Sequence, residues 1–151
     1  MVHWTQSNER QPRIAIIGAG MSGIAAVVKL RRGGYRNLTV YEKAEQVGGT
    51  WRANRYPGLS CDVPSHWYSF TFNPNPDWTH RFSYGPEIQA YMQATADKFD
   101  VMPLVQFNTG VRALAYDEKG EDGPVWHLTT EHGDEEIYDI VISATGILRL
   151  P

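Results

Sequence analysis

The sequence predicts an α/β fold in which a parallel sheet carries a small antiparallel β-meander. A glycine-rich motif from Gly18 to Gly23 stands between the apolar run of residues 14–17 and a helical pattern, an order typical of the first half of a βαβ unit. Residues 125–131 alternate in polarity, which indicates a strand with one covered face. Residues 140–142 are an unbroken apolar run, which predicts a strand buried on both faces of a parallel sheet.

The glycine motif has the spacing GxGxxG, formed by Gly18, Gly20 and Gly23. In a dinucleotide-binding turn, the first glycine permits the tight turn, the second lets the backbone approach a pyrophosphate, and the third lets the helix lie close to the sheet. The following helix should aim its free N–H groups at the phosphates, bury Met21, Ile24, Ala25 and Val28, and end at the glycine pair 33–34. The alternative is a glycine-rich helix start that binds nothing.

An acidic residue closes the next predicted strand, Leu38 to Tyr41. Glu42 lies 19 residues after Gly23, where a carboxylate accepts hydrogen bonds from ribose hydroxyls. It would repel a 2'-phosphate, so the spacing favours NAD or FAD over NADP at this site.

Composition bounds the class of protein. A chain of 151 residues has room for one compact domain. A net charge of −3 without a basic run argues against nucleic acid as a partner. The single cysteine, Cys61, excludes an internal disulfide framework and favours a reducing compartment; we expect a packed thiol there rather than a nucleophile. The five histidines lack ligand spacing, so no metal site is expected.

Residues 1–12 form a polar tail of mixed charge with no signal-peptide core. No apolar stretch approaches the roughly 20 residues that a membrane helix requires. We therefore expect a soluble cytoplasmic protein without a membrane partner.

A second glycine pair, Gly48-Gly49, follows the acidic strand end, where an ordinary NAD domain would be entering its next helix. It would let the main chain close over a cofactor, as in the Rossmann-like FAD-binding domain of the glutathione-reductase type, which it resembles. Residues 55–70 then lack a helical period and are rich in aromatics, Pro and Gly, which is typical of a functional loop.

The remaining elements complete the predicted domain. Residues 86–99 should form a helix that starts at a proline and buries an aromatic face. Short strands at residues 104–107, 111–117 and 125–131 predict a three-stranded insert. The last strand, residues 138–143, ends in Ala144-Thr145-Gly146; these small residues would leave room for a cofactor, and the alternative is a plain glycine turn.

Several motifs together resemble the class B flavoprotein monooxygenases, and within them most closely the Baeyer-Villiger monooxygenases. The resemblance runs from about Ile14 to Pro151, and its most specific part is the block from Trp51 to Phe70. The motifs that carry it are Gly49-Thr50-Trp51, Tyr56-Pro57-Gly58, Cys61-Asp62 with Val63-Pro64-Ser65, Phe82, and Gly85-Pro86-Glu87-Ile88.

This resemblance implies FAD as the cofactor and assigns residues to its parts. The pyrophosphate would lie on Gly18, Gly20, Ser22 and Gly23, and the ribose on Glu42. The segment of Gly49, Thr50 and Trp51 would lie along the cofactor, Tyr68 would be close to the flavin, and the Val111 backbone would contact adenine. Asp62 would sit near the isoalloxazine ring in a catalytic role, orienting an arginine and contacting nicotinamide; the alternative is an aspartate that only caps a turn.

The family also has a second GxGxxG domain for NADPH, a His- and Trp-containing fingerprint, a later return of the chain to the FAD domain and an active-site arginine. The present sequence contains none of these motifs. It is therefore expected to be an incomplete domain, residues 13–151 being the N-terminal part of the FAD-binding domain of an NADPH-dependent enzyme that inserts oxygen into ketones, and inactive alone. Its exposed sheet surface should promote self-association.

Three other functions stay open. The chain could be a stand-alone FAD- or ADP-binding module that needs a partner chain, or part of a flavin monooxygenase that oxygenates nitrogen or sulfur. A plain NAD-dependent dehydrogenase domain is disfavoured by Gly48-Gly49-Thr50-Trp51 and by the meander.

Overall fold

The computed structural model describes residues 10–120 and 123–148. Two sheets and three α-helices make up this part of the chain. In order, its elements are β1 (Ile14–Ile17), α1 (Met21–Arg32), β2 (Leu38–Tyr41), α2 (Thr50–Ala53), α3 (Gly85–Lys98), a 3-10 turn (Met102–Leu104), β3 (Val105–Gln106), β4 (Val111–Asp117), β5 (Val125–Thr130), β6 (Glu135–Tyr138) and β7 (Ile140–Ser143).

The larger sheet is parallel, with strand order β3-β2-β1-β7. Ile14 on β1 lies opposite Leu38 on β2 and Ile140 on β7, so β1 is the central strand and α1 is the crossover from β1 to β2. The predicted α/β class and the predicted bounds of β2 are confirmed. The carboxyl ends of β1, β2 and β7 meet at one edge, where ligands of such sheets bind.

The smaller sheet is an antiparallel meander of order β4-β5-β6. Leu128 and Tyr138 of the meander pack against Ala15 and Tyr41 of the parallel sheet, and the four residues are buried together. The Tyr41 and Tyr138 rings meet edge to face, with centroids 6.1 Å apart, and their hydroxyls are 2.7 Å apart. Burial raises the pKa of the Tyr41 phenol far above its usual range, so this pair is neutral and joins the two sheets by a hydrogen bond.

Both longer helices pack against a common core, and their bounds follow local sequence signals. α1 buries Gly23, Ile24, Val27 and Val28, and Gly33 is its C-cap; of the predicted face, Met21 and Ala25 are only partly buried. α3 has proline in its first turn and buries Ile88, Tyr91, Met92 and Thr95. The predicted helices are confirmed to within a residue or two, but α1 is rotated relative to its predicted face.

The prediction of a doubly buried last strand was wrong. Ile140 is 42% exposed, because among the described residues β7 pairs only with β1 and forms an edge of the parallel sheet. Three successive apolar residues indicate a strand but not how many neighbours it has.

The predicted single strand of residues 138–143 is two strands, separated at Asp139. The Asp139 carboxylate accepts hydrogen bonds from the Arg13 backbone N–H at 2.7 Å and from the Arg13 and Arg10 guanidinium groups at 3.0 Å. These bonds make a turn between β6, the third meander strand, and β7. The predicted strand of residues 104–107 is likewise shortened to β3, which joins the parallel sheet rather than the meander.

Parts of the predicted chain organisation lie outside the described residues. These are residues 1–9 of the predicted polar tail, residues 121–122 between the predicted strands 111–117 and 125–131, and residues 149–151 at the end of the predicted domain. Within the described ranges, no helix is both long enough and apolar enough to cross a bilayer.

Candidate functional site

A cleft of about 500 Å³ lies at the carboxyl ends of β1, β2 and β7. The elements that form it are the glycine turn before α1, the segment between β2 and α2, the start of β4 and the residues after β7. Its lining includes Gly18, Gly20, Ser22, Glu42, Lys43, Gly48, Gly49, Thr50, Trp51, Tyr68, Thr109, Gly110, Val111, Glu131, Ala144, Thr145 and Gly146. Nine of the residues selected from the sequence are thereby brought together, and so is the predicted cofactor-side segment Ala144-Thr145-Gly146.

The first glycine turn has no room for side chains. Gly18 has φ +104°, and a Cβ on it would lie 2.6 Å from the Ala144 carbonyl oxygen. A Cβ on Gly23 would overlap the Gly18 carbonyl oxygen. Gly23 does not line the cleft, so it acts by letting α1 pack against the turn. Gly20 is the N-cap of α1 and supplies no side-chain hydrogen bond to the first helical N–H groups, which leaves them available to an anion at this end.

Glu42 is a buried carboxylate between the two loops of the site, with 5% of its surface exposed. Its Oε2 accepts a hydrogen bond from the Ala19 backbone N–H at 2.8 Å, and its Oε1 accepts one from the Ala44 N–H at 2.9 Å. Each carboxylate oxygen has a second acceptor position. Glu42 therefore holds the glycine turn while retaining acceptor capacity towards the cleft.

The two glycine segments touch through their backbones. The Gly48 N–H donates to the Ala19 carbonyl oxygen at 3.0 Å. Gly49 has φ +54°, and a Cβ on it would lie 3.1 Å from the Gly20 Cα. The second glycine pair therefore lies against the first glycine turn, and its closing over a cofactor stays a prediction.

Trp51 and Tyr68 form one aromatic wall of the cleft. The Trp51 indole N–H donates to the Tyr68 hydroxyl at 3.0 Å, and the rings meet edge to face with centroids 5.7 Å apart. A second cavity of about 790 Å³ is lined by Trp51 together with Arg52, Arg55 and Gln89. Trp51 therefore lines both cavities.

The opposite end of the cleft is formed where β4 begins and β5 ends. Val111 pairs with Thr130, and the Glu131 N–H donates to the Gly110 carbonyl oxygen at 2.8 Å. A Cβ on Gly110 would overlap the Glu131 carboxylate, so this glycine lets the carboxylate lie over the strand start. Sequence reasoning missed Lys43, Thr109, Gly110 and Glu131, and the glycine directly before a predicted strand was the available signal.

Asp62 is not brought into the cleft. It is exposed on the loop between α2 and α3 and does not line the cavity. Its neighbour Cys61 is 4% exposed, and the Cys61 N–H donates to the Ser83 carbonyl oxygen at 3.0 Å, so the thiol is packed, as expected. The described residues contain no cluster of three or more side chains that could ligate a metal.

Comparisons with known proteins agree on the family. The family model described as "NAD(P)-binding Rossmann-like domain" matches residues 16–92, just over half of the chain. A Baeyer-Villiger monooxygenase of Streptomyces coelicolor is 45% identical over 139 residues, which are 92% of this chain and 26% of that protein. One of Pseudomonas aeruginosa is 40% identical over 147 residues, 97% of this chain and 27% of that protein.

Solved structures give the same result. A cyclohexanone monooxygenase in its open form superposes with a TM-score of 0.83 at 34% identity, covering 91% of this chain and 27% of that one. An oxidised steroid monooxygenase bound to NADP superposes with a TM-score of 0.82 at 35% identity, covering 89% and 26%. The chain spans about a quarter of the length of these relatives. It belongs to the NAD(P)-binding Rossmann-like family and, over that quarter, is a homologue of the Baeyer-Villiger monooxygenases.

Proposed function

We propose that the chain binds FAD in the cleft and is the FAD-binding portion of an NADPH-dependent monooxygenase that inserts oxygen into ketones. The observation that carries the proposal is the close approach of the Gly48–Gly49 backbone to Ala19 and Gly20 at the N-terminus of α1, next to the buried carboxylate of Glu42. Such an arrangement suits a pyrophosphate flanked by a ribose. The relatives support FAD and NADPH as the cofactors: one is named a FAD-binding monooxygenase, and one solved structure is a complex with FAD and NADP.

The lining of the cleft fits the parts of FAD. Gly18 and Gly20 present bare backbone, and Ser22 lies in the first turn of α1, so the pyrophosphate would bind here. Glu42 would accept hydrogen bonds from the ribose. The Val111 backbone would contact adenine at the β4 end of the cleft.

The other end would hold the isoalloxazine ring. Thr50, Trp51 and Tyr68 line it, and the hydrogen bond between Trp51 and Tyr68 fixes both rings. We also propose that Asp62 acts on the flavin side. This part of the proposal rests on the Cys-Asp motif alone, since Asp62 does not line the cleft. Bound FAD would supply the redox chemistry between NADPH and oxygen, and the residues of this chain would bind and orient it.

We also propose that the chain self-associates through the open edge of β7. The edge is unpaired on one side within the described residues, and Ile140 on it is 42% exposed. Unpaired strand edges with apolar side chains pair with other chains. Light scattering over a concentration series should show oligomers, and a monomer at every concentration would contradict this.

Titration of the purified chain with FAD tests the main proposal, with flavin fluorescence and visible absorbance as signals and NAD and ADP as competitors. FAD binding that ADP displaces only weakly is expected, because the aromatic end would hold the flavin. Binding of ADP alone would restrict the function to a nucleotide cradle. Because these residues span about a quarter of the length of the relatives, we expect that on their own they do not oxidise NADPH even with FAD. Oxidation above a protein-free control would refute the incomplete-enzyme part of the proposal.

Gly20→Val should abolish FAD binding, because its branched side chain would stand between Gly20 and the pyrophosphate. A Cβ at this position lies 3.5 Å from the Gly49 Cα and has ordinary van der Waals room, so the fold should persist. Ala94→Val, on an exposed site of α3 outside the cleft, is the matched control. Equal FAD affinity in the two variants would refute the pyrophosphate assignment.

A further inference from the structure

Gln89 of α3 lies directly behind the second glycine pair. Its Nε2 donates a hydrogen bond to the Val47 carbonyl oxygen at 2.8 Å. Its side-chain amide also occupies the position that a Cβ on Gly48 would take. The side chain therefore contacts two successive residues, Val47 and Gly48.

This contact holds the segment in an unusual backbone conformation. Gly48 has φ +120° and Gly49 has φ +54°, and the Gly48 N–H donates to the Ala19 carbonyl oxygen at 3.0 Å. Glycine has many alternative conformations of similar energy, so two consecutive glycines need outside contacts to stay in one of them. The Ala19 carbonyl supplies one such contact, and Gln89 supplies another.

The amide of Gln89 is not explained by stability alone. Its Oε1 is buried and has no hydrogen-bond partner in the described part of the chain. Burying an acceptor without a partner costs stability, which an apolar side chain of the same length would avoid. What the amide adds is the Nε2 donor that reaches the Val47 carbonyl oxygen.

We infer that Gln89 is a positioning residue that fixes the Gly48–Gly49 segment against Gly20 and thereby sets the affinity for the pyrophosphate of the dinucleotide. The inference rests on the proposed FAD binding for its ligand. Gln89 acts through the segment, so it affects ligands that carry a pyrophosphate. The contacts proposed for the adenosine part, at Glu42 and Val111, should stay unchanged.

The experiment compares Gln89→Met with the wild-type chain. Methionine is unbranched and similar in length, so it fills the space behind Gly48 but donates no hydrogen bond. Gln93→Met, one turn further along α3, is the matched control. Among the described residues, Gln93 Nε2 donates only to the Asp97 carboxylate at 3.4 Å and to the Met102 sulfur at 3.7 Å. Hydrogen exchange of the Gly48 amide by NMR is read without ligand, and affinities for FAD, ADP and adenosine are read by titration.

Gln89→Met should speed exchange of the Gly48 amide roughly fivefold or more and weaken FAD and ADP binding roughly fivefold, the factor that one lost hydrogen bond corresponds to. Adenosine affinity and the Gln93→Met control should stay at wild-type values. Should Gln89→Met fail to fold, Gln89→Leu also lacks the donor and adds no charge near the phosphates, with the same expectation.

Wild-type exchange at Gly48 and wild-type ADP affinity in the variant would overturn the inference. An equal loss for ADP and adenosine, together with a lowered melting temperature, would also overturn it, since that is what general destabilisation produces. If the wild-type chain binds neither FAD nor ADP, the proposed function fails, while the exchange measurement still decides whether Gln89 fixes the segment.

Discussion

Gly23→Ala is the sharpest test of how the glycine turn is built. Gly23 lies in α1, where alanine should be favoured by about 1 kcal/mol over glycine. The added methyl group would overlap the Gly18 carbonyl oxygen and lie 3.0 Å from its carbon. These are backbone atoms of a turn that is also held by the Gly18 N–H bond to the Tyr41 carbonyl oxygen at 2.7 Å, so they do not move aside as a side chain would.

Forcing extra atoms into a packed interior costs about 1–3 kcal/mol, and contact with fixed backbone places this site at the upper end. Subtracting the helix propensity leaves a net loss of about 2 kcal/mol in the free energy of unfolding. For a domain of this size the melting temperature should fall by roughly 4–8 °C. Urea unfolding followed by far-UV circular dichroism measures the loss.

Gly33→Ala is the matched control at the other end of α1. Gly33 has an ordinary φ of −75°, and its nearest neighbour would be 3.3 Å from the new Cβ, so we expect a change of less than about 1 kcal/mol. If Gly23→Ala is as stable as the wild-type chain or more so, close packing of α1 on the turn is not what requires this glycine.

Two further perturbations test the contacts that join the sheets. Hydrogen bonds from Arg13 hold the pKa of the Asp139 carboxyl well below its usual range, so its stabilisation is present above pH ~4 and lost as the pH falls towards the folded-state pKa. Asp139→Asn should lower the free energy of unfolding by about 1–2 kcal/mol at pH 7. Its free energy of unfolding, measured with urea, should also fall less between about pH 4 and lower pH than that of the wild-type chain, and the same pH dependence in both proteins would contradict this. Tyr138→Phe removes the hydroxyl that lies 2.7 Å from the buried Tyr41 hydroxyl and should lower the free energy of unfolding by about 1–3 kcal/mol. The Tyr41→Phe/Tyr138→Phe double variant should lose less, because it leaves no hydroxyl unpaired. Additive losses in a double-mutant cycle would refute the coupling.

The parts predicted from sequence are those that local patterns decide. The strand, glycine turn and helix around Gly18 and the acidic end of β2 are specified by neighbouring residues, so the order of these elements and the bounds of β2 were predicted correctly. The bounds of α3 follow from Pro86 and its apolar spacing in the same way.

The parts that sequence did not predict depend on residues distant in the chain. Ile140 is half exposed because of which strands flank β7, and the break at Asp139 depends on Arg13, 126 residues away. Glu131 reaches the cleft only because β4 and β5 pair in one register. The Cys-Asp motif likewise marks Asp62 but does not say which way its side chain faces.

The two hydrogen bonds of Glu42 have an evolutionary consequence. The same carboxylate that would exclude a 2'-phosphate also holds the Ala19 N–H and the Ala44 N–H. An exchange of this residue for arginine, which would accommodate a phosphorylated ribose, would leave two buried donors facing a cation. The residue at this position therefore determines both the cofactor preference and the conformation of the two loops. A substitution that changes the cofactor preference requires further substitutions that supply new acceptors for the Ala19 and Ala44 N–H groups.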